Sequence, residues 1–149
     1  MVSTDLTIIL VDDDIDDRDF FSDALKGSKT HSELFLFDSG HKLIQHLSMN
    51  QTNSTIILFL DLNMPGMSGL DCLKHLKNRF DAKIIFTVIF STSSSSNDID
   101  SAYNSGANCY LVKPVSFSKL KELIFKGIIT AKKNIEHQLP RERFVLNYN

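Results

Sequence analysis

A chain of 149 residues, 42% of them hydrophobic and with a net charge of −2, fits one globular domain. It gives no reason to expect bulk binding to nucleic acid or to an acidic membrane, and a chain this long buries roughly 70% of its unfolded surface, enough for a core without disulfides. The start lacks the basic region of a secretory signal, no run nears the ~18 apolar residues of a membrane span, and Cys72 and Cys109 lack metal or redox spacing, so the expectation is a cytoplasmic protein with reduced, buried thiols.

Residues 6–11 are apolar and β-branched and read as a strand buried on both faces. Six Asp residues then crowd between Asp12 and Asp19. From Ile15 to Leu25 the spacing is helical, with Ile15, Phe20, Phe21, Ala24 and Leu25 on one face, Asp14 or Asp16 as N-cap, and Gly27 as the stop. Residues 33–37 form a second strand, and a helix carrying Leu43, Ile44 and Leu47 follows the Ser39-Gly40 turn. After a polar loop, residues 56–60 form the most apolar strand, and a helix runs from Ser68 to about Arg79. Residues 84–90 form a fourth strand, followed by a serine-rich loop and a polar helix over about 97–105 that Gly106 closes. Residues 108–112 form a fifth strand, and a last helix runs from Phe117 to about His137 with Leu120, Leu123, Ile124, Ile128 and Ala131 inward.

Five strand–helix alternations argue a parallel sheet with helices on both faces and ligands beyond the carboxyl ends of the strands. Asp12, Asp13, Asp61, Ser91 and Lys113 all fall at such ends. If the ends converge, three carboxylates within about 4 Å repel by roughly 4 kcal/mol per pair at an effective dielectric near 20, more than one lysine offsets. A hard divalent cation does offset it, and Mg²⁺ keeps open positions for phosphate oxygens. Asp61 then reads as a nucleophile toward phosphorus, with Lys113 and a Ser91 hydroxyl on the phosphoryl oxygens. Pro65-Gly66 makes the tight turn after it, which leaves the Asn63 carbonyl free as a metal ligand.

Five motifs in this order resemble the receiver domain of two-component response regulators, over about residues 6–130. They are Val11-Asp12-Asp13, Asp61 with the loop through Gly69, Ser91, Tyr110, and Lys113-Pro114. The resemblance is to the stand-alone, chemotaxis-receiver-like type. It implies an α/β, flavodoxin-like fold: a doubly wound, five-stranded parallel sheet of order 2-1-3-4-5 flanked by five helices. Residues 1–137 would be the receiver and 138–149 a C-terminal tail without a separate output domain. Asp61 would accept a phosphoryl group from the phosphohistidine of a sensor histidine kinase, with a phytochrome-like or hybrid kinase among the candidates. Mg²⁺ (or Mn²⁺) would be held by Asp13, Asp61 and the Asn63 backbone carbonyl, with Asp12 acting mostly through water. Lys113 would bind the phosphoryl group, and Pro114 would follow it through a cis peptide. Ser91 would be the switch hydroxyl, with Thr92 as the alternative, and Tyr110 the switch aromatic, turning inward on phosphorylation. Asn63 and Ser93 would tune the phosphoryl lifetime. Such a domain catalyses its own phosphorylation and dephosphorylation but is a signalling module rather than an enzyme.

Plainer readings exist. Asp12 and Asp13 can cap a helix, and Asp16, Asp17 and Asp19 read as a solvated helix face. A haloacid-dehalogenase-type phosphatase would use Asp12-Asp13-Asp14 as its nucleophile motif, yet it needs a later acidic pair that does not follow Lys113, and it leaves Asp61 idle. A flavin carrier of the same sheet order needs a hydroxyl-rich phosphate loop where this chain has acids. A degenerate receiver used only for docking fits poorly with an intact cluster. The five histidines form no convincing catalytic or metal pair. Residues 138–149 are too few for a DNA-binding domain. The expected output is therefore protein contact with a downstream target, or transfer to a phosphotransfer protein in a relay. The apolar piece Phe144-Val145-Leu146 either folds back on the domain or pairs across a homodimer.

Overall fold

The computed structural model describes residues 6–26, 32–50, 54–80 and 83–147. Strands β1 (Leu6–Val11), β2 (Glu33–Phe37), β3 (Thr55–Leu60), β4 (Ile85–Ser91) and β5 (Cys109–Val112) alternate with helices α1 (Ile15–Lys26), α2 (Gly40–Met49), α3 (Gly69–Arg79), α4 (Ser96–Asn104) and α5 (Phe117–Lys133). A sixth strand, β6 (Val145–Leu146), was not expected. All pairings are parallel, and the order is β2-β1-β3-β4-β5-β6. The expected order is thus present, extended by one strand.

The apolar runs make the central strands because each has a core on both sides. Side chains alternate across a strand, so Ile8 and Leu10 join a core with Phe21 and Ala24 of α1 and Leu120, Leu123 and Ile124 of α5. Ile9 and Val11 point the other way, into a core with Leu43 of α2, Leu73 of α3 and Ile99 of α4. Both cysteines are free and buried in these cores, and burial pushes the Cys72 thiol up to about 12. No helix among the described residues is long and apolar enough to cross a membrane.

The helix starts follow a simple chemistry. Asp14 Oδ1 accepts the backbone N–H groups of Asp16 and Asp17 at 2.8 and 3.2 Å, so Asp14 is the cap of α1. Serines 39, 68, 95 and 116 cap α2 to α5, each hydroxyl accepting the N–H three residues on. Two expectations for helices change. Ile15 is 62% exposed, because it sits at the first position of α1, ahead of the turn that meets the core. Helix α5 stops at Lys133 rather than near His137, because Asn134 caps it, its side-chain Nδ2 donating to the Thr130 carbonyl at 2.9 Å. Gly27, the expected end of α1, lies outside the described residues.

Of the two expectations for 144–146, the structure shows the fold-back within one chain. After a single 3-10 turn at Arg141–Arg143, the chain returns beside β5, and the Tyr110 N–H donates to the Phe144 carbonyl at 2.9 Å. Phe144 is fully buried, its ring 5.1 Å from that of Tyr103 and 6.3 Å from that of Tyr110. Gln138 Nε2 donates to the carbonyls of Tyr103 and Ala107, and Arg141 pairs with Asp100 at 2.9 Å. Residues 138–146 therefore tie α4 to β5 rather than hanging free.

Candidate functional site

Strand register gathers the site. Strands β1 and β3 are neighbours with Val11 opposite Leu60, so the next residues, Asp12 and Asp61, emerge side by side. The Asp61 N–H donates to the Val11 carbonyl at 2.9 Å and the Asp12 N–H to the Phe37 carbonyl at 3.0 Å, which fixes both backbones. On the far side, Ser91 pairs with Val112, and the Lys113 N–H donates to the Ser91 carbonyl at 2.7 Å. The sequence-expected residues Asp12, Asp13, Asp61, Ser91 and Lys113 thus meet at one end of the sheet.

Asp12, Asp13 and Asp61 each bring one carboxylate oxygen within 4.8 Å of the others. Asp12 and Asp61 are buried and Asp13 is exposed, so the cluster opens to solvent on one side. Burial pushes the Asp61 carboxyl up from 3.8 to about 7, against the pull of Lys113 and the Asn63 backbone N–H; the nearby charges of Asp12 and Asp13 push it further. Burial also raises Asp12, outweighing its hydrogen bond to Lys113. Without a cation, burial and mutual repulsion disfavour full ionisation of this cluster. A group of hard oxygen donors short of positive charge fits a divalent cation.

Lys113 Nζ donates to Asp12 Oδ2 at 2.7 Å and to Asp17 Oδ2 at 2.9 Å, and it lies 4.7 Å from the centre of the Phe90 ring. Burial alone would lower this ammonium, but Asp12, Asp17 and Asp61 hold it above its ordinary value. The partner Asp17 corrects the sequence reading, which placed it on a solvated face. Helix side chains lean toward the N-terminus, so a carboxylate in the first turn of α1 points back at the strand ends. Arg18 was also missed, and its Nη1 donates to the Asp12 carbonyl at 2.7 Å. Only helix direction, not composition, would have flagged these two.

The loop after Asp61 depends on two glycines. Gly66 has φ +76°, which serves the turn after Pro65, and a Cβ on Gly69 would run into the Asp61 carbonyl. Helix α3 therefore starts pressed against the backbone of Asp61. Asn63 is exposed beside it.

Ser91 is fully buried and its Oγ accepts the Ser93 N–H at 3.0 Å, whereas Thr92 is exposed. The Tyr110 hydroxyl donates to the Ser93 carbonyl at 2.8 Å, and the Ser93 hydroxyl donates to Asp98 of α4. Tyr110 is already fully buried, so it needs no inward turn to reach this loop. The expected cis peptide before Pro114 is not present; the Lys113–Pro114 peptide is trans. Trans is the lower-energy form of such a bond by about 0.5–1 kcal/mol, and Lys113 makes its contacts without the cis form.

Comparison with known proteins bears on the whole of this arrangement. The family model described as the response regulator receiver domain matches residues 8–125. The two-component response regulator ARR5 of Arabidopsis thaliana is 31% identical over 145 residues, covering 89% of this chain and 78% of its own. Among solved structures, the phosphorylated cyanobacterial phytochrome response regulator RcpA superposes with TM-score 0.71 at 30% identity, covering 84% of this chain and 91% of its own. The Mn²⁺-bound form of response regulator Rcp1 superposes with TM-score 0.70 at 28% identity, covering 90% of this chain and 98% of its own.

Proposed function

This chain belongs to the response regulator receiver family, and we propose that it accepts a phosphoryl group on Asp61 from the phosphohistidine of a sensor histidine kinase. The observation that carries the proposal is the convergence of Asp12, Asp13 and Asp61 at strand ends, with the Lys113 ammonium donating into the same cluster. In the transfer, an Asp61 oxygen bonds to phosphorus and the phosphorus–nitrogen bond breaks. The imidazole leaves with the electron pair and takes up a proton.

Attack needs Asp61 ionised, and burial holds its carboxyl at about 7, so the cation-free site is only partly charged at neutral pH. Mg²⁺ or Mn²⁺, when bound, supplies the missing positive charge. Asp12, Asp13, Asp61 and the Asn63 carbonyl are the groups that would hold it. Lys113 donates to the phosphoryl oxygens. Ser91, the switch hydroxyl in this reading, gives up the Ser93 N–H and donates to a phosphoryl oxygen. Tyr110 is bonded to the Ser93 carbonyl and follows that loop, which carries the change to α4 and to Phe144 of the tail. Asn63 and Ser93 flank the acceptor and the switch hydroxyl, and we assign them the tuning of phosphoryl lifetime.

The output proposed is a protein contact in the cytoplasm, with a downstream target or a phosphotransfer protein, by a signalling module that is not otherwise an enzyme. Likeness to RcpA, named as a phytochrome response regulator, supports a kinase of phytochrome-like type. The test is incubation with Mg²⁺ and acetyl phosphate followed by intact mass measurement. One phosphoryl adduct is expected, absent in Asp61→Asn and without Mg²⁺. An adduct that persists in Asp61→Asn but is lost in Asp12→Asn would sink the proposal.

A further inference from the structure

The Lys113 ammonium faces two demands. Its side chain is 8% exposed and its shortest contact is Asp12, itself one of the three carboxylates of the cation cluster. Lys113 holds Asp12 Oδ2 and the Asp14 N–H holds Asp12 Oδ1, so a cation that draws on Asp12 competes with Lys113 for it, and a buried ammonium that loses this contact needs another acceptor. Asp17 is the acceptor that stands outside the cluster, and it already holds Lys113 at 2.9 Å. Its backbone is pinned by the Asp14 cap, and the Phe90 ring lies under the same ammonium.

Resting on the receiver reading above, we propose that Asp17 is a positioning residue for Lys113. It keeps the ammonium at the edge of the site when Asp12 turns to the cation, so that Lys113 remains aimed at the incoming phosphoryl group. Asp17 acts through Lys113 and touches no reacting atom.

A purely electrostatic role for Asp17 predicts something different, and Asp16 separates the two. Asp16 carries the same charge in the same helical turn, is exposed, and makes no ion pair with Lys113. The experiment measures Mg²⁺ affinity of the unphosphorylated protein by titration calorimetry. It also measures the phosphorylation rate against acetyl phosphate concentration, in the parent, Asp17→Asn, Asp17→Glu and Asp16→Asn. Asp17→Asn should weaken Mg²⁺ binding and lower the maximal rate, each by roughly 3- to 10-fold, with little change in the half-saturating acetyl phosphate concentration. Asp16→Asn should change each by less than about 2-fold, and Asp17→Glu should recover most of the loss. Equal effects of Asp16→Asn and Asp17→Asn would overturn the proposal, as would tighter Mg²⁺ binding in Asp17→Asn. Failure of the parent protein to phosphorylate would count against the receiver reading, while the Mg²⁺ titration would still decide the role of Asp17.

Discussion

Replacing Asp61 by Asn should make the cation-free protein more stable, not less, at neutral and alkaline pH. Asp61 is 8% exposed, and burial lifts its carboxyl from 3.8 to about 7. A carboxyl raised in the fold favours the neutral form there. Its share of stability is complete below pH 3.8, falls as pH rises, and is gone above about 7. Three units at about 1.4 kcal/mol each set an upper value of about 4 kcal/mol for what ionised Asp61 costs the fold. An Asn amide must itself be bonded, so a net gain of about 2 kcal/mol is the expectation. For a domain of this size that is a rise in Tm of roughly 4–8 °C. The assay is thermal unfolding by circular dichroism in EDTA at pH 5 and pH 8. The variant should gain at pH 8 and gain much less at pH 5. Adding Mg²⁺ should then raise the Tm of the parent and leave Asp61→Asn almost unmoved, because binding to the native state is what stabilises it. A variant that melts at or below the parent temperature at pH 8 would refute the argument that burial of charge strains this site.

Two further outcomes are expected. Lys113→Met leaves Asp12 buried without its ammonium, which should cost about 3–5 kcal/mol at pH 8; Asp12 is already raised, so protonation relieves the loss at pH 5, and urea unfolding that shows equal losses at both pH values would count against the pairing. Phe144→Ala should cost about 3 kcal/mol by emptying the space between Tyr103 and Tyr110, and hydrogen exchange should show the Tyr110 amide, bonded to the Phe144 carbonyl, losing protection ahead of the central strands.

Strands β1 to β5 were legible because each is an apolar run flanked by polar residues, and the central strands, buried on two faces, have no other composition open to them, while β2 at the sheet edge is only partly buried. Asp12, Asp61 and Lys113 were legible because parallel strands all end on one side, so three strand ends in sequence become one place in space. What was not legible depends on contacts rather than runs. Asp17 and Arg18 look like surface residues until the direction of α1 is known. The tail was ambiguous because Phe144-Val145-Leu146 satisfies either a fold-back or an exchange between copies, and only the groove beside Tyr103 and Tyr110 decides. The end of α5 was misplaced because Asn134 reads as a tolerable helix residue until its side chain is seen bonding backward. The trans peptide before Pro114 is the default for an X–Pro bond, and the cis expectation came from the resemblance rather than from these residues.

By lying along β5, the two-residue strand β6 covers the backbone edge of β5 and leaves only its own short edge exposed at that side of the sheet. Another chain that sought to add a strand there would meet paired amides, and it would first have to peel away Phe144, the Arg141–Asp100 pair and the Gln138 bonds. Self-association at this edge is thus an exchange of tails rather than a simple encounter, and its speed is set by how often the strap lets go. The same device guards against runaway sheet-to-sheet growth at β5, and it leaves any pairing of two copies through that edge kinetically slow even where the final assembly is favourable.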